Sequence, residues 1–461
     1  AWGAFVLTAG RCADLFGKRR TFLIGTCLFM LGSAFTGMAI APWFLILGRV
    51  IQGIGGALFL PGLYTLVFTA FPENRRGFAL GMLTSSIAIG LAIGPTFGGG
   101  VLHLLNWRWI FFLNLPLGIP VMAIIIWAVK KEPLRLMNES MDFIGAFLVA
   151  LALVILMVAL NQIHLLGIGS ARVWSLLILS LLIIGFLIVY ESRQKFPLIK
   201  FEMFKNKNYL GCLFNYVVMG FSFSTLLIVG GLYLENVLQY SAFNTGFIFL
   251  VMTAMFAVLS VYSGKLVDKV GSKLPIIAGG IFTSLSFLVF AVCDQHSPLW
   301  MPVLVLALFG VGGGLSFPAL NANMLKSVPS NLLSTASSAF AMFGTIGNSA
   351  GLILSSVIMV SFGEKKLIPL LAHTGLLITP TQIPILKHIL GTPHYSTDQL
   401  KDFAPANIPI LLDTLRAALV NGMTIMVLIT ACLTILGIMV SAILIRDHQP
   451  AHSSEINHLV V

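Results

Sequence analysis

Few residues in this sequence of 461 could do chemistry: 16 are Asp or Glu, 27 are Lys or Arg, and 9 are His. The charged stretch GRCADLFGKRR, residues 10 to 20, lies between two apolar runs, and a close copy, GKLVDKVGSK, returns at 264 to 273. Gly10, Asp14 and Gly17 fall on Gly264, Asp268 and Gly271 at a constant offset of 254. Glycine allows the positive φ of a tight turn, and Asp can accept from the backbone N–H groups exposed where the next helix starts. Arg49 stands alone inside an apolar run, where a charge costs about 2.5–3.5 kcal/mol and usually faces a cavity or a partner. It follows Trp43 closely enough that its side chain could instead reach the outer surface. Hydrolytic chemistry has no support, since no G-x-x-x-x-G-K-S/T, H-E-x-x-H or G-x-S-x-G occurs. Gln52, Gly53, Gly55 and Gly56 lie in an apolar span with no Lys after them, which suits helix packing rather than phosphate binding.

The elements that position these groups are membrane helices. The chain is 58% hydrophobic and 9% charged, against about 25% charge in a soluble domain. Its net charge of +11 sits between apolar runs, so it marks a membrane surface and not a nucleic-acid face. Runs long enough to cross lie near 21–40, 43–69, 78–104, 107–129, 142–162, 172–190, 210–235, 243–263, 274–293, 299–324, 333–362 and 413–445, with a shortened one at 1–10. A second echo, GIGGALFLPGL from Gly53 and GVGGGLSFPAL from Gly310 at an offset of 257, makes the chain a duplication. By that repeat the span at 210–235 needs a partner ahead of Ala1, so the expected whole has fourteen spans, arranged as six, two linking and six. The expected divisions are an N-terminal bundle over 1–130, two linking helices over 131–209, a C-terminal bundle over 210–445 and a tail over 446–461. Six prolines make 363–412 an irregular external loop. Its His373, His388 and His394 lack metal-ligand spacing, the five cysteines read as small hydrophobes, and no metal is expected.

GLAIGPTFGGG, residues 90 to 100, places Gly90, Gly94 and Gly98 on one helix face, with Gly99 beside them, and adds Pro95. These residues predict a bent span that another backbone approaches closely. At offset 257, Gly90 and Gly94 recur as Gly347 and Gly351, but Pro95, Gly98 and Gly99 fall on Leu352, Ser355 and Ser356. Arg49 falls on Leu306. A feature needed only for folding should recur in both halves, so the kink and Arg49 both point to function.

GRCADLFGKRR, LILGRVIQGIGGA and GLAIGPTFGGG resemble, in order, the three signatures of drug:proton antiporters of the major facilitator superfamily, and WRWIFFLNLPLG is similar to a segment of its fourteen-span EmrB/QacA branch. Cys12 and Leu15 depart from the first signature. The resemblance implies an all-α polytopic fold of two six-helix bundles plus two linking helices, in a bacterial inner membrane. It implies proton-driven export of amphipathic or cationic drugs by alternating access, with small molecules and protons as partners and no cofactor beyond the proton gradient. It leaves open a periplasmic adaptor and an outer-membrane channel. It gives Asp14, Lys18 and Arg19 a gating role on the cytoplasmic side, Arg49 a role in proton transfer, and the glycine–proline segment a role in sealing against leak. Because no carboxylate of the sequence falls at mid-membrane, the coupling acid is expected ahead of Ala1, facing Arg49, with Glu235 next in line. A metabolite carrier of the same fold, or a scaffold or sensor that transports nothing, are the alternatives.

Lys and Arg cluster on the side of the GRCADLFGKRR turn, which makes that side cytoplasmic. A cysteine at Ser192 should therefore resist an impermeant thiol reagent in intact cells, and one at Ser396 should label. The reverse pattern would invert the orientation.

Overall fold

The computed structural model describes residues 2–129, 142–166, 169–195, 197–198, 200–374, 386 and 407–447. Among them every regular element is helical: α1 (Trp2–Phe16), α2 (Lys18–Gly37), α3 (Pro42–Ala70), α4 (Arg76–Leu104), α5 (Trp107–Phe112), α6 (Asn114–Ala128), α7 (Phe143–Leu166), α8 (Ala171–Ser192), α9 (Lys207–Leu232), α10 (Ala242–Val270), α11 (Lys273–Ala291), α12 (Trp300–Lys326), α13 (Leu333–His373) and α14 (Ile408–Leu444), with short 3₁₀ turns between. Twelve helical stretches among the described residues, counting α5 and α6 as one, are long and apolar enough to cross a membrane. With 15 residues, α1 is shorter than a full span.

Helices α1–α6 and α9–α14 form two bundles, and the α7–α8 hairpin lies against α1 and α13. Outside water the hydrophobic effect does little to drive helices together, so close backbone approach must hold them. Gly25 and Gly32 of α2 meet Gly55 and Gly48 of α3. A Cβ on Gly25 would stand 2.9 Å from the Gly55 carbonyl oxygen, and one on Gly48 would stand 2.7 Å from the Thr36 nitrogen. The repeat reuses the device, with Gly279 of α11 against Gly312 of α12. The packing expected of Gly55 is thus present, Gly56 lies under the Trp2 ring, and Gly53 is half-buried in α3.

The expected external loop differs at its ends. Helix α13 runs on through Pro369 to His373, and α14 already begins at Ile408 with Pro409 in its first turn, where a missing N–H does no harm. His388 and His394 lie outside the described residues, as does most of the connection between α6 and α7.

Candidate functional site

The two copies of the charged turn sit at the same end of the molecule. Gly17 and Gly271 have φ of 94° and 92°, the left-handed region that glycine enters without strain, and each lets one helix end and the next begin at once. Gly10 and Gly264 do not share in the turn. They lie inside α1 and α10, where helices of opposite bundles cross: Gly10 against Ser334 and Ser338 of α13, and Gly264 against Gly77 and Phe78 of α4.

Asp14 and Asp268 do not cap the helices that follow them. The Asp14 carboxylate crosses to the C-terminal bundle and accepts from the backbone N–H of Ser334 (3.2 Å) and Thr335 (2.8 Å) and from the Thr335 hydroxyl (2.7 Å), at the start of α13. Asp268 crosses the other way and accepts from Gly77 N and Phe78 N, both at 2.7 Å, at the start of α4. Gly77 and Phe78 correspond to Ser334 and Thr335 at the offset of 257, so the two contacts are one motif used twice. Each puts a carboxylate on the positive end of a foreign helix, satisfying N–H groups that have no partner within it. The start of α11 is instead capped by Asp447, which accepts from Ser272 N (2.7 Å) and Lys273 N (3.0 Å). Arg19 also departs from expectation: its guanidinium donates to the Ile126 carbonyl of α6 (2.7 Å), inside its own bundle. Lys18 opens α2. Lys265 of α10 stands 5.7 Å from the Phe78 ring centroid, a further contact between bundles.

Arg49 begins a polar string. It donates to Gln52 Oε1 (2.7 Å), Gln52 Nε2 donates to Ser33 Oγ (2.9 Å), and Asn114 Nδ2 donates to the same hydroxyl (2.8 Å). The Arg49 guanidinium also lies 5.6 Å from the Phe111 ring centroid. The string joins α2, α3 and the start of α6. In the second half its places are taken by Leu306, Phe309 and Phe287, all buried, with the two rings edge to face at 5.9 Å. Gln52 is therefore more than packing, because it links the one charge to the bundle interior. Glu235 lies at the far end of α9, in a single π-helical turn from Tyr233 to Val237.

The glycine segment of α4 behaves differently from its reading. Among the described residues, nothing lies within 4 Å of a Cβ added at Gly90, Gly94, Gly98 or Gly99, so none of their backbone approaches this face. The helix runs unbroken through Pro95 to Leu104. The close approach occurs lower on the same helix, at Gly77 and Gly81 against Ser260 and Gly264. Beyond that crossing an apolar cavity of about 530 Å³ lies along α4, lined by Ile93, Phe97, Gly100, Val101 and Leu104 of that helix and by Leu250 of α10. The matched Gly347 and Gly351 of α13 do pack on backbone, against Val217 and Phe221 of α9.

The family description Major Facilitator Superfamily matches residues 1–352. The chain belongs to this superfamily. It is 28% identical over 415 residues to "Multidrug transporter protein MdtP" of Bacillus subtilis (strain 168), covering 88% of this chain and 73% of that protein. It is 27% identical over 333 residues to "Riboflavin transporter RibZ" of Clostridioides difficile (strain 630), covering 71% and 70%. The human organic anion transporter MFSD10 superposes with a TM-score of 0.61 at 12% identity over 95% of this chain and 80% of its own. A double Trp mutant of XylE superposes with a TM-score of 0.59 at 12% identity, covering 97% and 85%. Both carry the same fold.

Within this superfamily fold, sequence reading missed the receiving ends of the latches. Ser334 and Thr335 follow Pro329 as an ordinary helix start, and only the 257-residue offset to Gly77 and Phe78 signals them. Ser33 and Asn114 are lone polar residues in apolar runs, and Asp447 looks like part of a tail. The latch geometry predicts hydrogen exchange. Asp14→Asn should speed exchange of the Ser334 and Thr335 amides by roughly tenfold, the loss of a charge-assisted bond, and leave Gly77 and Phe78 protected. Asp268→Asn should do the converse, and uniform exchange changes in both variants would contradict the assignment.

Proposed function

We propose that this transporter exports amphipathic or cationic drugs by alternating access, driven by protons, and that it belongs to the fourteen-span branch of drug:proton antiporters. The observation that carries the proposal is the asymmetry between the two ends of the bundle interface. On the basic end, Asp14 and Asp268 tie each bundle to the other, whereas toward the other end the glycine face of α4 meets no neighbour among the described residues and an apolar cavity lies along that helix. A protein in this arrangement is closed on the side we assign to the cytoplasm. Releasing the two carboxylates lets the bundles rock and open that side, as two-bundle carriers do about a midplane site. Arg49 is the charge for proton coupling: it is held by neutral partners, Gln52 and Phe111, and its string has no counterpart in the second half. The glycine-rich face of α4 is the surface on which the closed outer side would form. Multidrug names among the relatives support the substrate class.

A metabolite carrier of the same fold is the second reading, favoured by the likeness to a riboflavin transporter. An efflux-deficient host carrying the full-length gene, grown against a drug panel with riboflavin uptake measured in parallel, separates the two. Drug protection that a protonophore abolishes, and that Arg49→Ala reduces at least tenfold while the protein still inserts, is the expected result. Riboflavin movement without protection against any compound would favour the metabolite carrier, and neither activity would sink both.

A further inference from the structure

The segment WRWIFFLNLPLG, residues 107 to 118, forms α5 and the start of α6 and has no role in the export reading as it stands. It is seated on the outer end of α2 by three contacts. The Arg108 guanidinium donates to the Ala39 carbonyl (3.0 Å), just past the end of α2. The Phe112 ring covers Gly37, where a Cβ would stand 2.8 Å from the ring atom Cε1. Asn114 Nδ2 donates to the hydroxyl of Ser33 (2.8 Å), one turn further along α2. From this seat the segment presents the Phe111 ring to the Arg49 guanidinium, at 5.6 Å from its centroid.

The chemistry of Arg49 dictates how the string below it is arranged. A guanidinium only donates, so the Gln52 amide must turn its oxygen to Arg49 and its Nε2 away. Nε2 then needs an acceptor inside the bundle, and the Ser33 hydroxyl supplies it. Asn114 donates to the same oxygen, so both lone pairs of Ser33 are taken and the hydroxyl is held in place. Ser33 is fully buried and Gln52 is 5% exposed, so each depends on these bonds to stay satisfied. Arg49 itself is exposed, and among the described residues its partners, Gln52 and Phe111, are both neutral. Its position is fixed without its charge being cancelled.

The second half shows that the fold does not need this device. Lys273, the repeat of Arg19, donates to the Ala442 carbonyl of α14 (2.8 Å) as Arg19 does to Ile126 of α6, which aligns the two helices at an offset of 316. Asn114 then matches Thr430, whose hydroxyl bonds back to the Met426 carbonyl of its own helix. Phe111 matches Val427, which is buried in the core.

We propose that the α5–α6 segment is a brace that positions Arg49 for proton coupling. Phe111 touches the guanidinium, and Asn114 is a positioning residue that acts on it through Ser33 and Gln52. The brace ties the charge on α3 to the outer end of α2 and the start of α6, so a shift of that segment is felt at Arg49. This rests on the reading of Arg49 as the coupling charge and adds the residues that hold it.

The test uses the full-length protein in liposomes with ethidium as the probe, and reads efflux driven by a pH gradient beside ethidium exchange without one. Asn114→Ala and Phe111→Leu should each slow driven efflux roughly 3- to 10-fold, the effect of one lost contact, and leave exchange unchanged. Phe111→Tyr keeps the ring face and should restore driven efflux. Driven efflux unaltered in both variants, or lost together with exchange, would overturn the proposal. The melting temperature of the purified protein gives a readout independent of transport. Asn114→Ala should lower it less in an Arg49→Met background than in the wild type, because the string then has no charge to hold. Equal shifts in the two backgrounds would also overturn the proposal. If the wild type moves no ethidium by either route, the export reading falls, and the melting comparison alone decides whether the brace holds Arg49.

Discussion

The arrangement depends on two carboxylates that each cap a helix belonging to the opposite bundle. A helix start exposes N–H groups with no internal partner, and near a membrane surface such groups are costly to leave bare. Asp14 and Asp268 satisfy them across the interface. They can do so only because Gly10, Gly264, Gly77 and Gly81 let the crossing helices touch backbone to backbone, since a Cβ at any of these would overlap the neighbouring helix. Charge-assisted hydrogen bonds are worth about 1.5–3 kcal/mol each, so a few of them bias a two-state equilibrium strongly and still allow it to reverse. That magnitude suits a gate better than a permanent joint.

The duplication makes the departures from symmetry informative. The latches are kept in both halves, as is the glycine packing of α2 on α3 and of α11 on α12. What is not kept is the string of Arg49, Gln52 and Ser33, whose second-half positions hold Leu306, Phe309 and Phe287 in a dry core. The apolar version demonstrates that these positions can be filled by simple packing. The polar version spends desolvation to hold a charge in place, and a structural purpose alone would not require it.

Much of the fold was legible because a span announces itself by length and hydropathy, and because the repeat located equivalent helices. The charged turn was legible at Asp14 and Asp268, but not the N–H groups they touch. Their partners lie 320 and 191 residues away in sequence, and backbone N–H groups carry no side-chain signature. Periodicity on α4 correctly put Gly90, Gly94 and Gly98 on one face, yet it could not say whether a neighbour occupies that face in the state described.

The measurement that tests the latches most directly is the distance between the basic ends of the two bundles. Spin labels at Arg20, on α2, and Lys326, at the end of α12, are both on exposed positions and report it by pulsed electron resonance. The account predicts a dominant short distance in the otherwise unchanged full-length protein, and a longer-distance population that grows in Asp14→Asn, grows in Asp268→Asn and dominates when both are changed. An unaltered distance distribution in the double variant would contradict the claim that these carboxylates hold the bundles together.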